Sequence, residues 1–286
     1  MTSRSPTVAQ RRLARALRKL RARADLTIDQ VAEKIDLSAS TISRLETAQA
    51  PVRRGDIREL LDIYGVTDTQ RDELLQLAGQ SRQQPWWQEY KDLPNAAAAD
   101  FEAQAAVIRQ YSALLVPGLL QTEAYAREIL RAVRGDDGAE NLERHLKLRM
   151  NRQTVLGEHD SPECMVVLDE AVLRREVGGR KVMHAQLERL IETSGLPNVS
   201  LRVLPFSVGA HGGVDGEFTI FSYEKDPDAV YEDPDVVYVD NIGGVAYIED
   251  PMITNRYNRT FERLLQTALD PIKSKQVLAE FEDGLR

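Results

Sequence analysis

The stretch from Thr27 to Thr47, TIDQVAEKIDLSASTISRLET, decides the fold of the N-terminal part of this chain. Thr27 followed by Gln30 has capping-box spacing: the hydroxyl accepts from the Gln30 amide while the Gln30 side chain reaches back. Val31, Ala32 and Ile35 make one apolar stripe at helical period. Asp36-Leu37 interrupts it, and Ser38 is a good N-cap for a second helix. In that helix Ile42 and Leu45 share one face, while Ser40, Ser43, Arg44 and Thr47 lie opposite at about 100° per residue. Two short helices around a tight turn form the pattern of a helix-turn-helix. Its second helix enters the DNA major groove with its N-terminal residues against base edges.

Working outward, the segment from about Gln10 to Gly65 resembles the lambda-repressor-like (XRE) DNA-binding domain. The matching pieces are Leu26-Thr27, Val31 to Ile35, and Ser38 to Glu46 with TISRLE inside it. Asp36 departs from the family, which usually has glycine there for a turn residue with positive φ; aspartate tolerates that conformation better than most residues. The expected complex is a homodimer on double-stranded DNA, reading an inverted repeat with half-sites about one turn apart. The expected DNA-facing set is Thr27, Gln30, Ser38, Ala39, Ser40, Thr41, Ser43 and Arg44. Arg44 matches the O6 and N7 of a guanine, Ala39 and Thr41 suit a thymine methyl, and Ser40 serves base or phosphate. Arg53 and Arg54, in the loop AQAPVRRG, are candidates for phosphate contacts, with simple solvation the alternative.

Charge first argues against nucleic acid, because the net formal charge of the 286 residues is -8. Residues 1–60 reverse the argument: they hold 13 Lys+Arg against 7 Asp+Glu, net +6, leaving net -14 on residues 61–286. A basic N-terminal domain on an acidic body is expected when only one domain meets phosphates. The single cysteine, Cys164, excludes an intramolecular disulfide framework, fits a reducing cytosol and reads as a buried small hydrophobe. No apolar stretch approaches a membrane span, and the arginine-bearing N-terminus lacks an apolar signal region. A cytoplasmic protein without a membrane partner is expected.

Residues 1–6 read as a polar tip, Thr7 to Ala24 as the first helix, and the runs through Ile57–Tyr64 and Leu74–Ala78 as two more, the last capped by Asp68 or Thr69. This gives a helical DNA-binding domain over 1–80. A polar linker follows at 81–95, whose Trp86-Trp87 pair either stacks on a ligand or docks the connector. From Ala96 the spacing of Phe101, Ala105, Ile108 and Tyr111 predicts a helix. Further helices follow Thr122, run through Leu142–Leu156, and span 170–178 and 181–192, with acidic loops at 135–138 and 224–235. Strands are predicted at 164–169, 199–206, 216–223, 235–240 and 245–250, the last two joined as a hairpin through Asn241 to Gly244. Two helices close the chain, at 251–269 and 272–281. The fold class is α+β: an all-α helix-turn-helix bundle, then an α+β domain over 96–286 with a mixed or antiparallel sheet.

A second resemblance covers about residues 95–280. VPGLLQT with AYA after it, RMNRQTVL, LDEAVLRREVGG, QLERL, LRVLPFSVGAHGG, EFTIF and VVYVD occur in this order. Together they are similar to the C-terminal domain of a large group of actinobacterial XRE-type regulators, described as antitoxin-like. The resemblance implies a transcription regulator, often encoded beside a small partner protein, whose C-terminal domain senses or dimerises.

Catalysis is not expected. Asp169-Glu170 at a strand end suits a helix cap as well as a site. His145, His159, His184 and His211 lack metal-ligand spacing, and no nucleophile elbow or phosphate loop is present. No cofactor or metal is expected. A small-molecule effector pocket is the more plausible chemistry: the glycines of PFSVGAHGG allow close backbone approach. Asp169, Glu170, Phe206 and His211 are its candidate lining, and a purely dimerising or partner-binding role is the alternative. The rival reading is an antitoxin-like interaction protein whose acidic body binds a small partner, with DNA binding as autoregulation.

Overall fold

The computed structural model describes residues 7–82, 85–134, 138–157, 161–224 and 233–285, with the side chains of Asp68 and Thr69 left out. The tip at 1–6, His159, the proposed capping side chains of Asp68 and Thr69, and most of the two acidic loops therefore lie outside the described residues. The chain divides into two compact units. One comprises Met1–Lys91 and Glu224–Asp233; the other comprises Asp92–Tyr223 and Pro234–Arg286.

The first unit is helical: α1 (Val8–Arg23), α2 (Ile28–Lys34), α3 (Ala39–Glu46), α4 (Arg54–Ile63) and α5 (Asp68–Gln80). Its core joins Leu13, Leu17 and Leu20 of α1 to Val31, Ile42, Leu45, Ile57, Leu60, Leu61 and Leu74. One device ends four of these helices. The residues Asp25, Asp36, Ala48 and Gly65 take positive φ, at 54°, 50°, 56° and 64°. After each, the next amide donates back to the carbonyl at the start of the last turn: Leu26 to Arg21, Leu37 to Ala32, Gln49 to Arg44 and Val66 to Leu61. This is the Schellman closure, which favours glycine; here only one of the four positions has it. Asp36 does adopt the positive φ expected of it.

The second unit is α+β, with a six-stranded mixed sheet in the order β3-β2-β1-β4-β5-β6. The strands are β1 (Val107–Ser112), β2 (Glu163–Asp169), β3 (Val199–Leu204), β4 (Phe218–Ser222), β5 (Val236–Asn241) and β6 (Gly244–Ile248). β1 runs parallel to β2 and antiparallel to β4, so it marks the change of direction in the sheet. The expected hairpin joins β5 and β6. The helices are α6 (Ala96–Gln104), α7 (Glu123–Arg134), α8 (Ala139–Arg152), α9 (Glu170–Arg174), α10 (Arg180–Thr193), α11 (Pro251–Thr267) and α12 (Pro271–Asp283).

Two expectations are corrected here. The helix read through Phe101, Ala105, Ile108 and Tyr111 stops at Gln104, and the remainder is β1. Valine, isoleucine and tyrosine favour a pleated surface, and pairing with strands from both sides outweighs the helical spacing. The helix from Glu170 stops at Arg174 instead of reaching Gly178.

One face of the sheet is apolar: Tyr111, Phe218, Ile220 and Val237 pack on Phe261 and Leu264 of α11. Cys164 is buried in β2, where burial pushes its thiol up to about 12. No described helix is long and apolar enough to cross a membrane.

Candidate nucleic-acid interface

The helix-turn-helix is set by its caps. Thr27 Oγ1 accepts from the Gln30 amide at 3.2 Å and the Thr27 amide donates to Gln30 Oε1 at 2.8 Å, so the expected capping box is complete. Both side chains are exposed but already bonded to the backbone. Ser38 Oγ accepts from the Thr41 amide at 3.1 Å and lies 2.8 Å from Thr41 Oγ1. Those two hydroxyls therefore satisfy each other before any base approaches.

On α3, Ile42 and Leu45 turn into the core while Ser40 and Arg44 are exposed, and Ala39, Thr41 and Ser43 are half-buried. The Arg44 guanidinium has no hydrogen bond or ion pair among the described residues, which leaves its whole donor fork for a ligand. Arg53 and Arg54 flank the start of α4, exposed and equally unpaired among the described residues. Thr47, on the outward face in the sequence pattern, donates to the Ser43 carbonyl at 2.8 Å.

Three basic residues are held by carboxylates of the chain itself, which sequence spacing could not reveal. Arg21 grips Glu46 through Nε–Oε1 at 2.7 Å and Nη2–Oε2 at 2.9 Å, and donates to the Leu26 carbonyl at 2.8 Å. Glu46 is buried at the end of α3, and the hydrogen bond to its carboxylate raises the Arg21 guanidinium further. Buried beside them, the Tyr64 hydroxyl is also pushed up. The pair ties α1 to α3 and to the entry of α2. Arg12 Nε lies 2.5 Å from Asp233 Oδ2, and Arg15 lies 3.9 Å from the same carboxylate.

In the second unit, the sheet ends bring Asp169, Glu170, Phe206 and His211 together, and they engage one another. Asp169 Oδ1 caps α9 by accepting from the Ala171 amide at 2.8 Å. Glu170 Oε2 accepts from the Phe206 amide at 2.8 Å while Oε1 holds Arg174, and these bonds keep its carboxyl below the usual range against a desolvation that opposes them. The Arg174 guanidinium stands 5.3 Å over the exposed Phe206 ring. His211 Nδ1 accepts from the Gly213 amide at 3.2 Å, leaving Nε2 to face Asp169 Oδ2 at 3.6 Å. Gly213 permits this fold-back: a β-carbon there would fall 2.9 Å from the Tyr111 hydroxyl and nearer still to its ring. His184 Nε2 lies 2.6 Å from Glu282 Oε1 and Nδ1 lies 3.6 Å from Glu188, an arrangement hidden by the distance between α10 and α12 in sequence.

Two family descriptions match the chain. "Helix-turn-helix domain" covers residues 12–74, and "Domain of unknown function (DUF5753)" covers residues 96–280. No curated protein and no solved structure matches. The helix-turn-helix domain supports a DNA-binding regulator.

Proposed function

We propose that this chain, which belongs to the family described as "Domain of unknown function (DUF5753)" and carries a helix-turn-helix domain ahead of it, is a sequence-specific transcription regulator of the XRE type. It binds an inverted-repeat operator as a homodimer through α3, in the cytoplasm and without catalysis of its own. Residues 1–80 are the reading domain, 81–95 the linker, and 96–286 the domain that responds to a ligand or partner. The observation that carries this reading is the exposed Arg44, without a partner among the described residues, on a helix whose opposite face is locked into the core.

The test is Arg44→Ala. A bidentate arginine–guanine contact gives about 1–3 kcal/mol of discrimination. The variant should lose roughly 5- to 150-fold in affinity per half-site and relax specificity at one base pair in each. An equal loss on operator and random DNA would make Arg44 a phosphate contact and remove the base-reading role.

The net charge of -14 on residues 61–286 favours a second reading, in which the C-terminal domain is antitoxin-like and binds a small partner protein encoded nearby. Co-purification with the neighbouring gene product would separate it from a metabolite response.

A further inference from the structure

The second face of the C-terminal sheet is unlike the first. Side chains at alternate positions point to the same face. On the face away from α11 these are Gln110 and Ser112 of β1, Thr219 of β4 and Tyr238 of β5, paired in register as Gln110–Thr219 and Thr219–Tyr238. A face covered by helices is ordinarily apolar. Here Ser112 and Thr219 are buried, yet the side chains of Gln110, Ser112 and Thr219 make no hydrogen bond among the described residues. Their polar atoms are not sealed from solvent and stand open to whatever fills the space in front of the sheet.

These side chains line a cavity of about 170 Å³, which also takes in Gln121 and Arg149. Two arginines of α8 border it and differ in kind. Arg152 is closed off by Glu102, through Nε–Oε2 at 2.8 Å and Nη2–Oε1 at 2.5 Å, so its charge is spent. Arg149 has only a neutral amide, with Nη1 donating to Gln121 Oε1 at 2.8 Å. Burial and the neighbouring Arg152 lower its guanidinium to about 10, which still leaves it charged at neutral pH. A half-buried cation that touches no carboxylate among the described residues, with Asp240 acting on it only from a distance, stands beside three open polar side chains and points to an anionic occupant.

We propose that this cavity binds a small organic monocarboxylate, with its carboxylate on the Arg149 fork and its other polar groups on Gln110, Ser112 and Thr219. The planar, two-pronged match between guanidinium and carboxylate is the geometric reason. The single charge follows from the surroundings: Glu217 and Asp240 also line the cavity, so a dianion such as phosphate meets added repulsion. The size follows from the volume, which lies below the ~300 Å³ at which pockets for drug-sized ligands begin. The site lies apart from the Asp169–His211 cluster, whose polar groups engage one another. The proposal rests on reading residues 96–286 as the responsive domain, and it names the site and ligand class of that response.

The test uses the full chain and isothermal titration with pyruvate, L-lactate, L-serine and benzoate, with inorganic phosphate and methyl acetate as controls. At least one carboxylate should bind once per chain, and neither control should compete. Arg149→Lys, which keeps the charge and loses the fork, should weaken binding at least tenfold. Thr219→Val, nearly the same shape without the hydroxyl, should weaken it at least threefold should Arg149→Lys fail to fold. No binding by any of the four acids, phosphate binding more tightly than they do, or retained affinity in the folded variants would each overturn the proposal. Operator affinity measured with and without the bound acid separates the two claims. Carboxylate binding that leaves DNA affinity unchanged keeps the site and removes its role in regulation.

Discussion

Removing the guanidinium of Arg21 should unfold the reading domain long before it touches DNA. The Arg21 side chain is 17% exposed and its partner Glu46 only 4%. Arg21→Met removes three donors at once and leaves the Glu46 carboxylate buried with no counter-charge. Breaking a buried pair from one side costs about 3–5 kcal/mol. Glu46→Gln is milder, because one acceptor oxygen remains and water reaches the arginine; a hydrogen bond to a charged group is worth about 2 kcal/mol. Replacing both, Arg21→Met with Glu46→Leu, strands nothing and should return to within about 1 kcal/mol of the wild type. In the Arg21→Met background the second substitution therefore returns about 2–4 kcal/mol. Hydrogen exchange at the Ile42 and Leu45 amides reads the stability of this unit alone, which a single melt of a two-unit chain does not. If the double variant is as unstable as Arg21→Met, the pair is not what holds α3 to α1.

Ala48→Gly should stabilise the same unit. Positive φ costs alanine about 1–2 kcal/mol, and the extra freedom of an unfolded glycine returns about 0.4–1 of it, so the same amides should gain roughly 0.5 kcal/mol of protection. Glu217 is half-buried and its carboxyl is pushed up by desolvation, against the Ala113, Leu114 and Leu115 amides that pull it down. A raised carboxyl contributes stability that is fully present below the ordinary carboxylate range and lost as pH rises through its folded value. Relative to the wild type, Glu217→Gln should therefore gain stability as pH climbs from that range through the raised value, and thermal melts that show the opposite slope would refute the cause. On operator DNA the salt dependence should be shallower than 13 basic residues imply. With Arg12, Arg15 and Arg21 facing carboxylates, the slope per chain should stay under about 9 in magnitude at about 0.9 per phosphate contact.

The reading domain was legible because its signals are local. A threonine three residues ahead of a glutamine, a serine at Ser38 and apolar residues at helical period act within one or two turns, and each caps or faces as its spacing dictates. The misread strand shows the limit. Ile108 and Tyr111 sit three apart and continue the rhythm of Phe101 and Ala105, yet β1 is buried by strands on both sides. Only pairing with Glu163–Leu168 and Phe218–Ser222 decides its conformation. The ion pairs escaped for the same reason: Arg21 and Glu46 each look like solvated surface until α1 and α3 are packed. The Gln110–Thr219 neighbours of the cavity come from strands more than a hundred residues apart, and no window of sequence holds them together.

The surface left for direct readout is smaller than α3 suggests. Ser38 and Thr41 bond each other, Thr27 and Gln30 close their capping box, and Thr47 bonds the Ser43 carbonyl. Among the described residues, the α3 side chains of the expected DNA-facing set left without a bond are Ala39, Ser40, Ser43 and Arg44. One fork and the two serine hydroxyls supply only a few kcal/mol of base discrimination, at about 1–3 kcal/mol for a good bidentate pair. Phosphate contacts add affinity without sequence information. If the chain binds as the proposed homodimer, selectivity for one operator comes largely from placing two such domains at a fixed spacing.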